Sequence, residues 1–418
     1  MTPPPDHEEA VTSSPRLLFV GEFPPSNHHG GAILLKRLLA QHPSNCLTVI
    51  TSKQGMTASQ PTGLLDCPHI ALSSFSSLSP WTRPLARAAN LFALALVALR
   101  TMIEIRRKRV QSLITVVQGR YYLAAALAAW ITATPHVTIV HDNFVDATAI
   151  PLSATRRIMR RLTRKILLNA SHVYAVSPEM QRLVFRECGV ESEIQLPSTE
   201  APARLPRSDA ASPRQSGPVI LFAGTIGYTV RDCLDLLVNL IASGKLENYG
   251  VPGVRLHLCA NVTDAEKRSY GWDNANVVCR GWVPQSGLAN ALSDADILFL
   301  PYSFSEPARD AVETAFPSKT ADYLAAGKPI LIFGPEYSSL VRYASEQGFA
   351  EIVNQSSPEA LAAGIAKIAL SPVYQAKLAN RALEVFSANH DIERQRRKFY
   401  LMLKKIISGE QEPASVMP

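Results

Sequence analysis

The sequence predicts an α/β protein made of two doubly wound parallel-sheet domains. Three observations carry this reading. Short apolar runs recur along the chain with helix-length stretches between them. The runs are apolar throughout rather than alternating, as strands covered on both faces are. A stretch rich in Pro, Ser and Ala, without periodicity, divides them into two sets. The 418 residues suit two or three domains. A hydrophobic content of 47% against 18% charged residues allows sizeable cores and excludes a disordered chain.

The first set of strands is Arg16–Val20, Leu47–Thr51, Ser112–Val117, His136–Val140 and His172–Val176. The second is Pro218–Gly224, Val254–Ala260, Asn276–Arg280, Asp296–Pro301 and Pro329–Phe333. Residues 1–15 are acidic and Pro/Ser-rich without an apolar core, which reads as a disordered tail rather than a signal peptide. Residues 16–196 form the N-terminal domain, 197–217 the linker, and 218–388 the C-terminal domain. Residues 389–418 form a charged amphipathic helix and tail that can pack back on the N-terminal domain. Parallel sheets bind ligands at the carboxyl ends of their strands. Two such domains facing each other across a cleft would place a site between them. The most apolar segment, Leu91–Leu99, is too short to span a bilayer and runs into Arg100, so a buried or surface-lying helix is expected.

The six cysteines show no CxxC or zinc-like spacing, and several sit in apolar runs. That pattern implies a reducing, cytoplasmic compartment and no structural metal. The net charge of +7 suits a nucleic acid, an anionic membrane or a phosphorylated substrate without choosing among them.

Five stretches bear on chemistry. Gly30-Gly31 opens a helix expected from Ala32, and paired glycines with free first-turn amides can approach an anion. The stretch is not GxGxxG and no suitably placed acid follows, which argues against a nicotinamide cofactor. A plain loop-to-helix turn is the alternative. His141-Asp142 falls just past a strand end, where histidine can bind a sugar hydroxyl or serve acid–base work, or where both residues are structural. Asp294-x-Asp296 invites a divalent-metal reading, but it precedes a strand and so sits at the wrong end of the sheet; capping and turn roles suffice.

On the helix Ser153–Asn169, Arg156, Arg157, Arg160, Arg161, Arg164 and Lys165 share one side; Ile158, Met159, Leu162 and Ile166 share the other. No acid occurs from Ala147 to Pro178. Docking on anionic lipid is one reading and a solvated amphipathic helix the other. Nucleic acid fits less well, since no interleaved aromatics accompany the charge. Finally, Phe316-Pro317-Ser318-Lys319 precedes a short helix from Thr320 to Ala326. A lysine gains nothing from the positive end of a helix unless an anion is held there too. A solvated loop lysine is the alternative.

At this point the chain resembles the retaining nucleotide-sugar glycosyltransferases of the two-Rossmann-domain (GT-B) type, the glycosyl transferases group 1 superfamily. The residues that carry the resemblance are "FPPSNHHGG" after the first strand, "HD" after the fourth, "RGWVPQSGLANALSDADILFLP", and "FPSKTADYLAAGKPIL". The resemblance implies two Rossmann-like domains, the N-terminal one on the acceptor side and the C-terminal one binding the nucleotide-sugar. It implies that Gly30 and Gly31 lie near the donor phosphates, that Gly281, Trp282 and Val283 line the base, and that Ser318 and Lys319 approach the diphosphate or sugar. Asp322 matches the family's acid on the ribose hydroxyls, usually Glu. His141 and Asp142 would face the acceptor side. Two departures stand out: Thr314 occupies the position of a second family Glu, with Glu313 one off, and "GTIGYTVRD" replaces an Arg/Lys pair, leaving Arg231 as the stand-in.

The expected function is therefore a hexosyltransferase-like, nucleotide-sugar-dependent transfer to an envelope polysaccharide or lipid-linked acceptor, with retention. The donor is a co-substrate, and no cofactor or metal is expected. The expected location is cytoplasmic, peripheral on the inner face of the membrane, with no nucleic-acid partner. The rivals are a nucleotide-sugar epimerase on the same fold and a catalytically silent, membrane-associated interaction protein.

Overall fold

The computed structural model describes residues 14–27, 30–58, 63–73, 84–141, 153–201 and 217–410. The chain divides into two compact units, one running to Gln195 and resuming at Gln395, the other spanning Leu196–Arg394.

The first unit holds a seven-stranded sheet. Its strands are β1 (Leu17–Val20), β2 (Leu47–Ser52), β3 (His69–Leu72), β4 (Ser112–Val116), β5 (His136–Val140), β6 (His172–Ala175) and β7 (Glu193–Ile194). Their order is β3-β2-β1-β4-β5-β6-β7, and every pairing is parallel. The strands predicted from sequence are the five inner ones, buried almost throughout. The outermost strands β3 and β7 escaped that reading. An edge strand is covered on fewer sides, so four half-buried residues and two short ones carry little apolar signal.

Helices α1 (Gly30–Leu39), α2 (Lys53–Ala58), α3 (Pro84–Lys108), α4 (Tyr121–Thr132), α5 (Ser153–Leu168) and α6 (Pro178–Cys188) connect these strands. α1 begins at Gly30 rather than Ala32, because both glycines adopt helical backbone that propensity alone disfavours. Right-handed crossovers put α1 and α2 on one face and α3 to α6 on the other. On that second face α3 packs on α4, α4 on α5 and α5 on α6. Leu18, Val20 and Leu113 of the sheet meet Val97, Ala98 and Ile105 of α3 and Tyr121 of α4. Val140 and Val173 meet Tyr122, Leu167 and Met180 farther along.

α5 departs from expectation in two ways. Its buried side chains are Thr163 and Leu167, with the Thr163 hydroxyl 2.9 Å from the Tyr122 hydroxyl. Ile158 and Leu162, on the apolar side of the helix, are exposed rather than packed on the sheet. Its cations are also not all free. Arg160 is ion-paired with Glu187 of α6, and Arg164 Nε donates to the Cys188 carbonyl at 3.3 Å. The compensating acid lies beyond the acid-free sequence stretch but adjacent in space.

α15 (Ile392–Ser408) joins the first unit from Gln395 on. There Arg396 Nε donates to the Arg37 carbonyl at 2.8 Å, Tyr400 meets His42 Nδ1 at 3.1 Å, and Phe399 is buried beside Tyr174.

The second unit holds a six-stranded parallel sheet in the order β10-β9-β8-β11-β12-β13. Its strands are β8 (Val219–Ala223), β9 (Arg255–Cys259), β10 (Val277–Cys279), β11 (Ile297–Pro301), β12 (Ile330–Phe333) and β13 (Ala350–Val353). The edge strand β13, only partly buried, again was not evident from the sequence. The helices are α7 (Arg231–Ala242), α8 (Asp264–Ser269), α9 (Gln285–Ser293), α10 (Arg309–Thr314), α11 (Lys319–Ala325), α12 (Ser339–Gln347), α13 (Pro358–Ala369) and α14 (Pro372–Val385). Of the expected linker, residues 202–216 lie outside the described residues. Before it, Thr199 bridges to Asp391, and the Pro197 carbonyl lies 2.6 Å from His390 Nδ1.

Candidate active site

Both sheets change winding direction beside their first strand, at β1/β4 and at β8/β11, and crevices form at the carboxyl ends of such strands.

In the second unit β8 ends at Ala223, and Gly224 follows with φ +140°, a conformation open to glycine. The conformation also makes room. A Cβ on Gly224 would lie 2.7 Å from Lys319 Nζ. Lys319 opens α11, one residue earlier than expected, and its ammonium lies 3.9 Å above the Phe222 ring of β8. One turn on, the Tyr323 hydroxyl accepts from the Ala223 amide at 2.8 Å, which pins α11 to the end of β8. No carboxylate pairs with Lys319 among the described residues. Burial pushes its pKa down to about 7. A cation held beside an apolar ring and a bare backbone turn is what a bound anion would relieve.

The loop before α11 is braced. Ser339 Oγ donates to the Ala315 carbonyl. Phe316 stands edge-on to Tyr343 at 5.2 Å and stacks on His390 at 6.2 Å. Tyr343 and His390 are hydrogen-bonded at 2.9 Å, and burial holds the imidazole near pKa 4, hence neutral. Ser318 occupies the N-cap position of α11 without capping it.

Asp322 also lies in α11, and its Oδ1 accepts from Gln285 Nε2 at 3.2 Å. Gln285 opens α9, directly after the turn Gly281-Trp282-Val283 that leaves β10. Trp282 is 53% exposed and Val283 half-buried. The structure thus ties the carboxyl end of β10 to α11 through one side-chain bond.

Arg231 sits at the first position of α7 with its guanidinium engaged. Nε donates to Asp235 at 3.1 Å, and the group lies 3.4 Å over the Tyr270 ring. Asp235 also accepts from Trp272 Nε1 at 2.7 Å. Thr314, at the family's Glu position, is buried in α10. Asp294 pairs with Arg280 at 3.1 Å, and Asp296 accepts from the Val219 amide at 2.8 Å, at the amino end of β8. Among the described residues no group of three or more His, Cys, Asp or Glu is placed to hold a metal ion.

In the first unit, Gly30 and Gly31 open α1 beside the end of β5. A Cβ on Gly31 would fall 2.9 Å from His141 Cε1 and Nδ1. The glycine therefore admits the imidazole against the first turn of α1, and the structure brings together two stretches that sequence treated separately. Asp142 lies outside the described residues. Glu22, two residues past the end of β1, was not singled out from sequence. Its carboxylate accepts from the Arg120 amide at 3.2 Å. Burial raises its pKa against the pull of Arg120. The available signal was an acid at the end of the first strand, in "VGEF".

Comparison with known proteins agrees with this geometry. Residues 47–196 match the model of Glycosyltransferase Family 4. Among solved structures the chain is similar to Anabaena Alr3699/HepE in complex with UDP and glucose, with a TM-score of 0.66 at 14% identity, covering 93% of this chain and 99% of that one. It is similar to sucrose-phosphate synthase (tll1590) from Thermosynechococcus elongatus, with a TM-score of 0.63 at 16% identity over 95% and 100%. It is also similar to the lipopolysaccharide outer core galactosyltransferase WaaB in its apo form, with a TM-score of 0.60 at 12% identity over 94% and 99%. No curated protein matches the sequence. The similarity to these structures shows the fold they share, two Rossmann-like units, and the matched segment resembles a glycosyltransferase domain. The Family 4 match spans β2 to β7 of the first unit.

Proposed function

We propose that this protein is a glycosyltransferase that moves a sugar from a nucleotide-diphosphate donor to an envelope polysaccharide or lipid-linked acceptor, with retention, at the inner face of the cytoplasmic membrane. The observation that carries the donor side is Lys319, held against Gly224 and Phe222 at the end of β8 with no carboxylate partner among the described residues. The UDP bound in the HepE structure supports a uridine nucleotide as the first donor to try.

In this reading Lys319 and the braced loop before it meet the diphosphate. Lys319, rather than a resident metal, offsets the charge that develops on the leaving group. Asp322, oriented by Gln285, takes the ribose hydroxyls, and the Trp282-Val283 turn lines the base. Gly30 and Gly31 approach the phosphates, and His141 serves the acceptor hydroxyl. The bond from the anomeric carbon to the diphosphate breaks, and one from that carbon to the acceptor oxygen forms on the same face. The acceptor's proton passes to the departing diphosphate, which leaves no task for a protein nucleophile.

The test is incubation with an α-linked UDP-hexose and a lipid-linked saccharide acceptor, with NMR of the new linkage. An α-linked product is expected, with turnover reduced in His141→Ala more than donor affinity is. A β-linked product would overturn retention. An interconverted sugar nucleotide without transfer would assign the site to epimerisation.

A further inference from the structure

Sugar transfer leaves the outer surface of α3 to α6 without a role. Every large exposed apolar side chain described in the first unit, Leu401 apart, lies on these four helices. The opposite helical layer, α1 and α2, contributes none. On α3 the outward stripe is Phe92, Leu96, Leu99 and Ile103, at helical spacing where a solvent-facing stripe would be polar. Phe92 is 66% exposed and, on α4, Trp130 is 77% exposed with Ile131 beside it. Ile158 and Leu162 continue the surface onto α5. Single exposed apolar residues are ordinary, but a contiguous surface of them marks an interaction site.

We infer that this face docks on an anionic lipid bilayer, with α3 and the end of α4 entering the boundary between headgroups and acyl chains. The inference rests on the membrane part of the proposed function and changes its physics, from a purely electrostatic contact to hydrophobic insertion. Charge selects the occupant. On α5, Arg157, Arg161 and Lys165 stand exposed beside Ile158 and Leu162. α3 ends in Arg106, Arg107 and Lys108. The one acid on α3, Glu104, is fully buried between Arg100 at 2.7 Å and Arg107 at 3.1 Å. α4 and α5 carry no acid. Cations flanking an apolar stripe with no exposed acid on these three helices, and an exposed Trp at its edge, match an anionic interface.

The orientation follows from packing. The apolar run Leu91–Leu99 read as too short to span a bilayer, but α3, the helix that contains it, is long and apolar enough to cross a membrane by length and composition, and only 28% of its apolar stretch is buried. Yet Val97, Ala98 and Ile105 are anchored in the core beneath it and its flank packs on α4. It therefore lies along the surface rather than across the bilayer.

The experiment uses the full chain with vesicles of phosphatidylcholine and phosphatidylglycerol, floated at low and high salt, with brominated acyl chains as depth reporters for tryptophan. The expected result is binding that persists at high salt, with quenching largely lost in Trp130→Phe. A Phe92→Ser, Leu96→Ser, Trp130→Ser variant should lose about tenfold or more of its high-salt partitioning. These side chains are exposed, so its melting temperature should be preserved and serves as the folding control. Complete release of the wild type by salt, or absence of quenching, overturns insertion while leaving electrostatic docking intact. No vesicle binding at any salt overturns both, while donor binding and transfer to a soluble acceptor are scored separately. A dimer that the triple substitution dissociates would give the face to a second copy and overturn the inference.

Discussion

Lys319 meets two opposed demands. Its aliphatic stem lies in a tight space between Phe222 and Gly224, and its ammonium ends there with no carboxylate beside it among the described residues. Burial lowers its pKa from 10.5 to about 7. Between those values the unfolded chain binds more protons than the folded one, so this residue makes stability rise with pH across that window. A diphosphate reverses the balance by favouring the charged form. Donor binding at weakly alkaline pH should therefore take up a proton, read by calorimetry in buffers of different ionisation heat. Lys319→Met should abolish that uptake and weaken the diphosphate by about 1.5–3 kcal/mol, the usual loss for one charged hydrogen bond. Unchanged uptake in the variant would assign the proton to another group.

At the scale of elements, α11 depends on the end of β8. Tyr323 ties the helix to Ala223, and Gly224 clears the path of Lys319. Gly224→Ala should cost roughly 1–3 kcal/mol of stability in thermal melts, because φ +140° suits glycine alone. It should also lower donor affinity by displacing the ammonium. Normal affinity in a folded variant would separate the turn from the site. α5 makes a second prediction. Arg157, Arg161 and Lys165 changed to Gln should weaken vesicle binding at low salt by roughly 1 kcal/mol per charge. Arg160→Gln should act chiefly through its pair with Glu187 and lower the melting temperature instead. Equal effects of the two variants on vesicle binding would mean that the pairing does not sort these charges.

That contrast shows what the sequence could reveal at this scale. Inner strands were legible because burial on both faces demands unbroken apolar runs; the edge strands β3, β7 and β13 were not, because an edge asks less, and of the edges only β10 was read, from Val277-Val278-Cys279. The amphipathic pattern of α5 was legible, but not which stripe is buried, since that depends on the orientation set by Tyr122 and α6. Within the site, Lys319 was legible as a cation misplaced at a helix start. Glu22 was not, because its environment comes from Gly119 and Arg120, in the turn between β4 and α4, far away in sequence. The bond from Gln285 to Asp322 likewise links stretches that no spacing rule connects.

At the scale of the molecule, the central claim is that the second unit holds a nucleotide diphosphate through Lys319. The first unit can be read in full without that claim, and so can both sheets. The departures at Thr314 and Arg231 bear on it directly, since Arg231 is already engaged by Asp235 and Tyr270. If Lys319 holds the diphosphate, a nucleoside diphosphate should stabilise the fold by mass action, and a nucleoside without phosphates should not. The most direct measurement is the melting temperature of the wild type and of Lys319→Met across a concentration series of UDP and of uridine. The account predicts a rise with UDP that saturates in the wild type, little change with uridine, and a rise in Lys319→Met only at much higher UDP. Equal stabilisation of the two proteins by UDP would contradict it, as would no stabilisation of the wild type by any nucleoside diphosphate.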